Sequence, residues 1–380
     1  MKTTFLLLGS LLLLSPLLRA DDDPKPADSY PARLIEVQKI GGATLRSATS
    51  VAVSPDGKFV YAAAFNADAV SVFKRDAETG ELELAHTLTG PDLKCAVNVR
   101  LSRDGEYAVV SAFRANAITL YKRDAQTGAL HQLDVARLGE NDNDGLDFVI
   151  EAEFSKDGRF IYTGASNGVG VFMVNEDKLV FQQLESADNK LSGLRDVTFS
   201  PDGSLLYAAG AASGSVAVLR PDAVSGRLEV VQLLVDGEDG VNAIEGAFRI
   251  ACSAKGGHVY VSAGRFGGDQ AVSVFATQPD GKLKLIEEHV NDEGDLKDFN
   301  GGNSLAVSPD GTRLYALATL SDRIAAFTRD PTTGKLTFQG TQPAGDHAVP
   351  GCPSLCFSPD GRFVYVADEN ANAVLVYKVP

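Results

Sequence analysis

A short motif returns seven times along this chain, and no other feature constrains its fold as tightly: SPDGKFVY, SRDGEYAV, SKDGRFIY, SPDGSLLY, SAKGGHVY, SPDGTRLY and SPDGRFVY. The serines fall at Ser54, Ser102, Ser155, Ser200, Ser253, Ser308 and Ser358, at intervals of 45 to 55 residues. Short apolar runs flank each copy, so every repeat is built from strands, and a strand repeat of this length reads as propeller blades. Within a repeat, a short strand such as Val51-Ala52-Val53 enters the turn, where Pro and Asp set the bend and Gly takes a positive φ. The second strand carries Tyr61, Val109, Tyr162, Tyr207, Tyr260, Tyr315 or Tyr365. The third ends on Phe73, Tyr121, Phe172, Leu219, Phe275, Phe327 or Tyr377. Large side chains at fixed offsets are expected to pack between neighbouring sheets. A second turn, as in Asp76 to Gly80, leads to an outer fourth strand and recurs at Thr127-Gly128, Ser225-Gly226, Asp280-Gly281 and Thr333-Gly334.

The seventh repeat lacks that outer strand, while an unassigned run, Arg33-Leu34-Ile35-Glu36-Val37, precedes the first repeat. The expected fold is therefore all-β: a single seven-bladed β-propeller over residues 32–380 with four-stranded blades, its ring closed by the N-terminal strand joining the last blade. Residues 1–20 read as a signal peptide, with Lys2, an apolar run from Phe5 to Leu14 and a small residue at Ala20. Residues 21–31 (DDDPKPADSYP) are expected to be a disordered tether. The expectation is an exported, periplasmic or extracellular, monomeric protein. A formal charge of −15 opposes nucleic acid, and no segment reaches the length of a membrane span.

The S-P-D-G-x-x-x-Y-V repeat, the Val-x-Val-Phe strand and D-x-x-T-G-x-L together resemble the lactonase-type propellers, the family of 6-phosphogluconolactonases and carboxymuconate cyclases. The resemblance runs from about Arg33 to Pro380. It implies a small lactone as substrate, opened by hydrolysis in the central channel. The family commonly shows A-R-H-x-x-F-x-P-D-G in a central blade; here the stretch is Leu194-Arg195-Asp196-Val197-Thr198-Phe199-Ser200-Pro201-Asp202-Gly203, so Arg195 matches and Asp196 replaces the histidine.

The residues themselves indicate where a ligand would bind. Counting four back from each repeat serine gives Ser50, Asn98, Glu151, Asp196, Arg249, Ser304 and Ser354, all polar. Counting three back gives only apolar residues, the alternation of a strand with one wet face. The polar set should line the channel, joined by Arg100 and Glu153 two residues from their serines. One reading is a set of mutual ion pairs. The other is a catalytic pocket with Glu151 or Asp196 as base, and Arg195, Arg249, Arg100, Asn98 and Glu153 binding an anionic sugar-acid lactone. A non-catalytic propeller of the cell envelope that binds a small molecule or a protein is the alternative. No cofactor is required by this chemistry. A calcium ion is a further candidate, because Glu140-Asn-Asp142-Asn-Asp144-Gly145 followed by Glu151 matches an EF-hand loop at most positions, giving Glu140, Asp142, Asp144 and Glu151 as ligands. His347 and the pairing of Cys95, Cys252, Cys352 and Cys356 are left open by the sequence.

Overall fold

The computed structural model describes residues 34–265, 267–344 and 354–380. The leader and tether expected at the N-terminus, together with His347 and Cys352, lie outside the described residues. The chain forms seven four-stranded antiparallel sheets. The first comprises β2 (Ala48–Val53), β3 (Phe59–Ala64), β4 (Ala69–Arg75) and β5 (Leu82–Thr89), and five more follow with the same meander. The last sheet has the order β1-β28-β27-β26, in which β1 (Ile35–Gly41) pairs antiparallel with β28 (Ala373–Lys378). Closure by the N-terminal strand is thus as the sequence implies. Among the described residues no helix is long and apolar enough to cross a membrane.

The repeat motif acts as a turn with internal bonds. Ser54 Oγ donates to Asp56 Oδ1 (2.6 Å) and accepts from the Phe59 amide (3.0 Å), while Gly57 sits at φ 71°. Seven apolar clusters result, one at each joint between neighbouring blades. Val51, Val99, Ala152, Val197, Ile250, Leu305 and Leu355, the residues three before each serine, all point into these joints.

The conserved offset of tyrosine carries more than bulk. The Tyr61 hydroxyl donates to the Gly128 carbonyl in the next blade's second turn (2.9 Å) and accepts from Arg123 Nε (2.8 Å), while Arg123 Nη2 meets Asp56 Oδ2 at 2.8 Å. The same staple recurs as Tyr365 with Arg75 and Asp360, and Tyr260 with Arg329. Gly128, at φ 75°, must be glycine, because a Cβ there would lie 2.4 Å from the Phe59 ring.

A second belt runs around the circumference. Each outer strand skips one residue of its ladder, and a bulge of this kind re-aims the side chain that follows it. Gln38, Asp134, Gln183, Gln232 and Glu287 each then accept the backbone N–H that opens the next outer strand, at Leu82, Leu179, Leu228, Leu283 and Leu336. Gln342 clasps Leu34 in the same way, accepting its N–H at 2.7 Å and donating to its carbonyl at 3.2 Å.

Candidate active site at the upper mouth of the channel

Inner strands β6 (Ala96–Leu101), β10 (Glu151–Phe154), β14 (Leu194–Phe199) and β18 (Ala247–Cys252) bring the charged residues together on one side of the channel. Arg249 is central. Its Nη1 donates to Glu151 Oε2 (2.6 Å) and to Asp196 Oδ1 (3.1 Å). Arg100 Nη2 reaches the same Glu151 oxygen at 3.2 Å, and its Nε lies 3.5 Å from Glu153 Oε2. The mutual ion pairs read from the sequence are therefore present, and they form a septum between two cavities on that side of the channel.

The septum does not treat its two buried carboxylates alike. Asp196 is held through both oxygens, because the Ile250 amide donates to Oδ2 at 2.7 Å. Glu151 is bound only through Oε2; its Oε1 is buried and has no hydrogen-bond partner among the described residues. Burial pushes the Glu151 carboxyl above its ordinary range, with Asp196 adding to the rise and Arg100 and Arg249 opposing it. Burial likewise pushes Glu153 up to about 8 against the pull of Arg100, and against its own burial the Arg249 guanidinium is held protonated by the charges of Asp196 and Glu151.

Two cavities meet at Arg249. The lower one, about 460 Å³, opens on the repeat-turn side and is bordered by Arg100, Arg103, Glu153, Thr198 and Cys356. The upper one, about 270 Å³, opens where the inner strands begin and holds Asn98, Glu151, Arg195, Arg249, Arg265 and Phe248. Arg195 and Arg265 each stack on Phe248, both 5.8 Å from its ring centre. Burial and the neighbouring charge of Arg265 lower the proton affinity of Arg195, which is a measure of how closely two cations have been placed. Glu369 answers part of that charge, at 3.4 Å from Arg265 Nη2. Asn98 donates through Nδ2 to Ser50 Oγ (3.3 Å), while its Oδ1 is a second buried acceptor with no partner among the described residues.

The expected site residues thus divide. Asn98, Glu151 and Arg195 line the upper cavity, Arg100, Glu153 and Asp196 line the lower one, and Arg249 lines both. The calcium ligands do not converge. Glu151 is turned inward to two arginines, Glu140 pairs with Arg137 at 3.5 Å, and Asp142 and Asp144 are exposed. Asn143 closes that loop on its own backbone, accepting from the Gly145 amide and donating to the Arg137 carbonyl. Cys95, Cys252 and Cys356 are free thiols, and burial pushes Cys356 up to about 12.

Sequence reasoning missed the rim. Phe65, Phe113 and Glu369 each stand eleven residues after a repeat serine, and Phe248 five before one. The fixed offset was the signal, but the residue types vary from blade to blade, with Ser166, Ala211, Gly264 and Thr319 at the same place.

The fold has counterparts among known proteins. The chain matches the family described as "Lactonase, 7-bladed beta-propeller" over residues 29–142, 149–244 and 249–380. It belongs to that family. A 6-phosphogluconolactonase of Klebsiella pneumoniae is 32% identical over 108 residues, which is 28% of this chain and 29% of that protein, so the match spans less than a third of the relative. Among solved structures, the periplasmic gluconolactonase of Pseudomonas aeruginosa superposes with a TM-score of 0.68 at 22% identity, covering 81% of this chain and 87% of the other. A protein from Lactobacillus plantarum gives 0.63 at 22% identity, covering 81% and 86%. At that identity these two likenesses carry the fold alone.

Proposed function

We propose that this lactonase-family propeller is an exported hydrolase that opens a small anionic lactone in the upper cavity. The observation that carries the reading is the free, buried Oε1 of Glu151 beside Arg195, Arg249 and Arg265. In this reading Glu151 is the general base. Arg100 and Arg249 fix its other oxygen and its orientation, and its raised proton affinity brings it nearer to neutral pH, where a base works best. A water accepted by Glu151 Oε1 and Asn98 Oδ1 loses a proton to the carboxylate as its oxygen attacks the lactone carbonyl. The arginines face the developing oxyanion and the substrate's own negative group. The ring C–O bond then breaks, and Glu151 returns the proton to the departing alkoxide. Asp196, occupying the place of the family's common histidine, has both oxygens engaged and serves as a positioning residue. Export rests on the leader-like residues 1–20.

The test is proton release by the purified protein on a panel of carboxylated and neutral lactones. Glu151→Gln should lower turnover by about a hundredfold or more, and Arg195→Ala should raise KM for anionic lactones by about tenfold while leaving neutral ones alike. Hydrolysis of a lactone at an unchanged rate by Glu151→Gln would refute the assignment. Binding of a carboxylate without hydrolysis of any lactone would favour a ligand-binding propeller of the envelope.

A further inference from the structure

An aromatic arc borders the upper cavity and belongs to none of the charge chemistry. Phe65 and Phe113 lie with ring centres 5.8 Å apart, and Phe113 and Phe148 5.1 Å apart, so three rings from blade 1, blade 2 and the loop entering blade 3 form a continuous row. Phe65 and Phe113 line the upper cavity, and Phe113 and Phe148 line an adjoining groove of about 230 Å³. The two spaces share Phe113, Ile150 and Arg195.

Phe148 is presented in an unusual way. It is 49% exposed and sits at φ 47°, a left-handed conformation that bulky side chains rarely adopt. The surrounding backbone holds it there. Asn116 Oδ1 accepts the Phe148 amide (2.9 Å), the Ser166 amide donates to the Asp147 carbonyl (2.7 Å), and the Ile150 amide donates to the Gly164 carbonyl (2.9 Å). A large apolar ring kept outward at a conformational cost, beside a cavity, is better explained by a ligand than by the core, where it buries little.

We propose that this groove is a second subsite, taking a planar apolar group joined to the anionic group held at Arg195. The occupant is thus an arylalkyl carboxylate or its lactone, and not a polyol. The reason is chemical. The groove is bounded by Phe113, Phe148, Ile150 and Leu194, with Ser166 as its one hydroxyl. A polyhydroxylated chain would lose its water there without recovering its hydrogen bonds, whereas a ring would stack on Phe113 and Phe148. Arg195 at the junction of both spaces fixes how far the ring stands from the charge. This inference rests on the proposed anion pocket.

Calorimetric titration of the full chain with 3-phenylpropionate and with gluconate separates the two ideas. Phenylpropionate is expected to bind at least tenfold more tightly than gluconate. Phe148→Ala should remove most of that preference and leave gluconate unchanged; Phe148→Tyr should retain it; Arg195→Ala should weaken both. Gluconate binding as well as phenylpropionate, or a preference untouched by Phe148→Ala, overturns the subsite while leaving the anion pocket standing. If neither carboxylate binds, the anion pocket falls and the subsite falls with it.

Discussion

Glu153→Gln should flatten the pH dependence of stability, and the sign follows from where that carboxyl sits. Glu153 borders the lower cavity with Arg100 Nε at 3.5 Å, and burial lifts it from 4.5 to about 8. Below about 4.5 the folded and unfolded chains both hold the proton, and the group has no effect on the balance. Between about 4.5 and about 8 the unfolded chain releases it and the folded chain keeps it, so stability falls as pH rises through that window. Each pH unit is worth about 1.4 kcal/mol, an upper bound of about 5 kcal/mol over the interval. The side chain is 24% exposed, however, and solvent screening brings the expected loss to about 1 to 3 kcal/mol. Urea unfolding at pH 5 and pH 8.5 measures it. The native protein should lose stability between the two, and Glu153→Gln should lose about 1 to 3 kcal/mol less. Asp360, held down to about 2 by the Ser358 hydroxyl, the Arg362 amide and Arg75 against its own burial, titrates below the window. Asp269, pushed up to about 6 by burial, and His258, lowered by burial and the charge of Arg329, are present in both proteins and cancel in the difference. Identical pH dependence in the two proteins, within about 0.5 kcal/mol, would refute the argument.

Two further outcomes concern the scaffold. Tyr61→Phe strips a buried partner from both Arg123 Nε and the Gly128 carbonyl and should cost about 2 to 3 kcal/mol in denaturant unfolding, whereas Tyr207→Phe, whose hydroxyl has only a 3.5 Å contact with Thr277, should cost less than about 1; equal costs would show that the staple adds nothing. A chain starting at Gly41 forfeits the ladder to Ala373–Lys378 and the clasps at Leu34 and Leu82, and should melt well below the full chain; an unchanged melting temperature would place the closure elsewhere.

The ring was legible because its determinants repeat. Seven serine turns, a second-strand position that is tyrosine in six of seven repeats and a missing outer strand fix blade number and closure, and the structure adds only that closure begins at Ile35 with a bulge after Glu36. The polar positions of the inner strands were legible too, since alternation on a strand is a local property. What separates Glu151 from Asp196 was not. It depends on the Ile250 amide of the adjacent blade, and a backbone group leaves no trace in residue identity. The rim was hidden for the opposite reason. Repeats advertise what blades have in common, whereas Phe113, Phe148, Phe248 and Arg265 matter because their counterparts differ.

The pairing of Ile35–Gly41 with Ala373–Lys378 also sets the order of assembly during synthesis. β1 is made long before its partner β28, so every partial chain carries one unpaired strand and an uncovered apolar blade face at each end of its arc. Such an arc can grow blade by blade, each new joint burying its own apolar cluster, but it cannot become a ring until β28 has been made. Growing chains therefore pass through a long interval in which association of those apolar faces with another copy competes with closure. Slowing translation across the last blade should prolong that interval and raise aggregation without altering the finished protein.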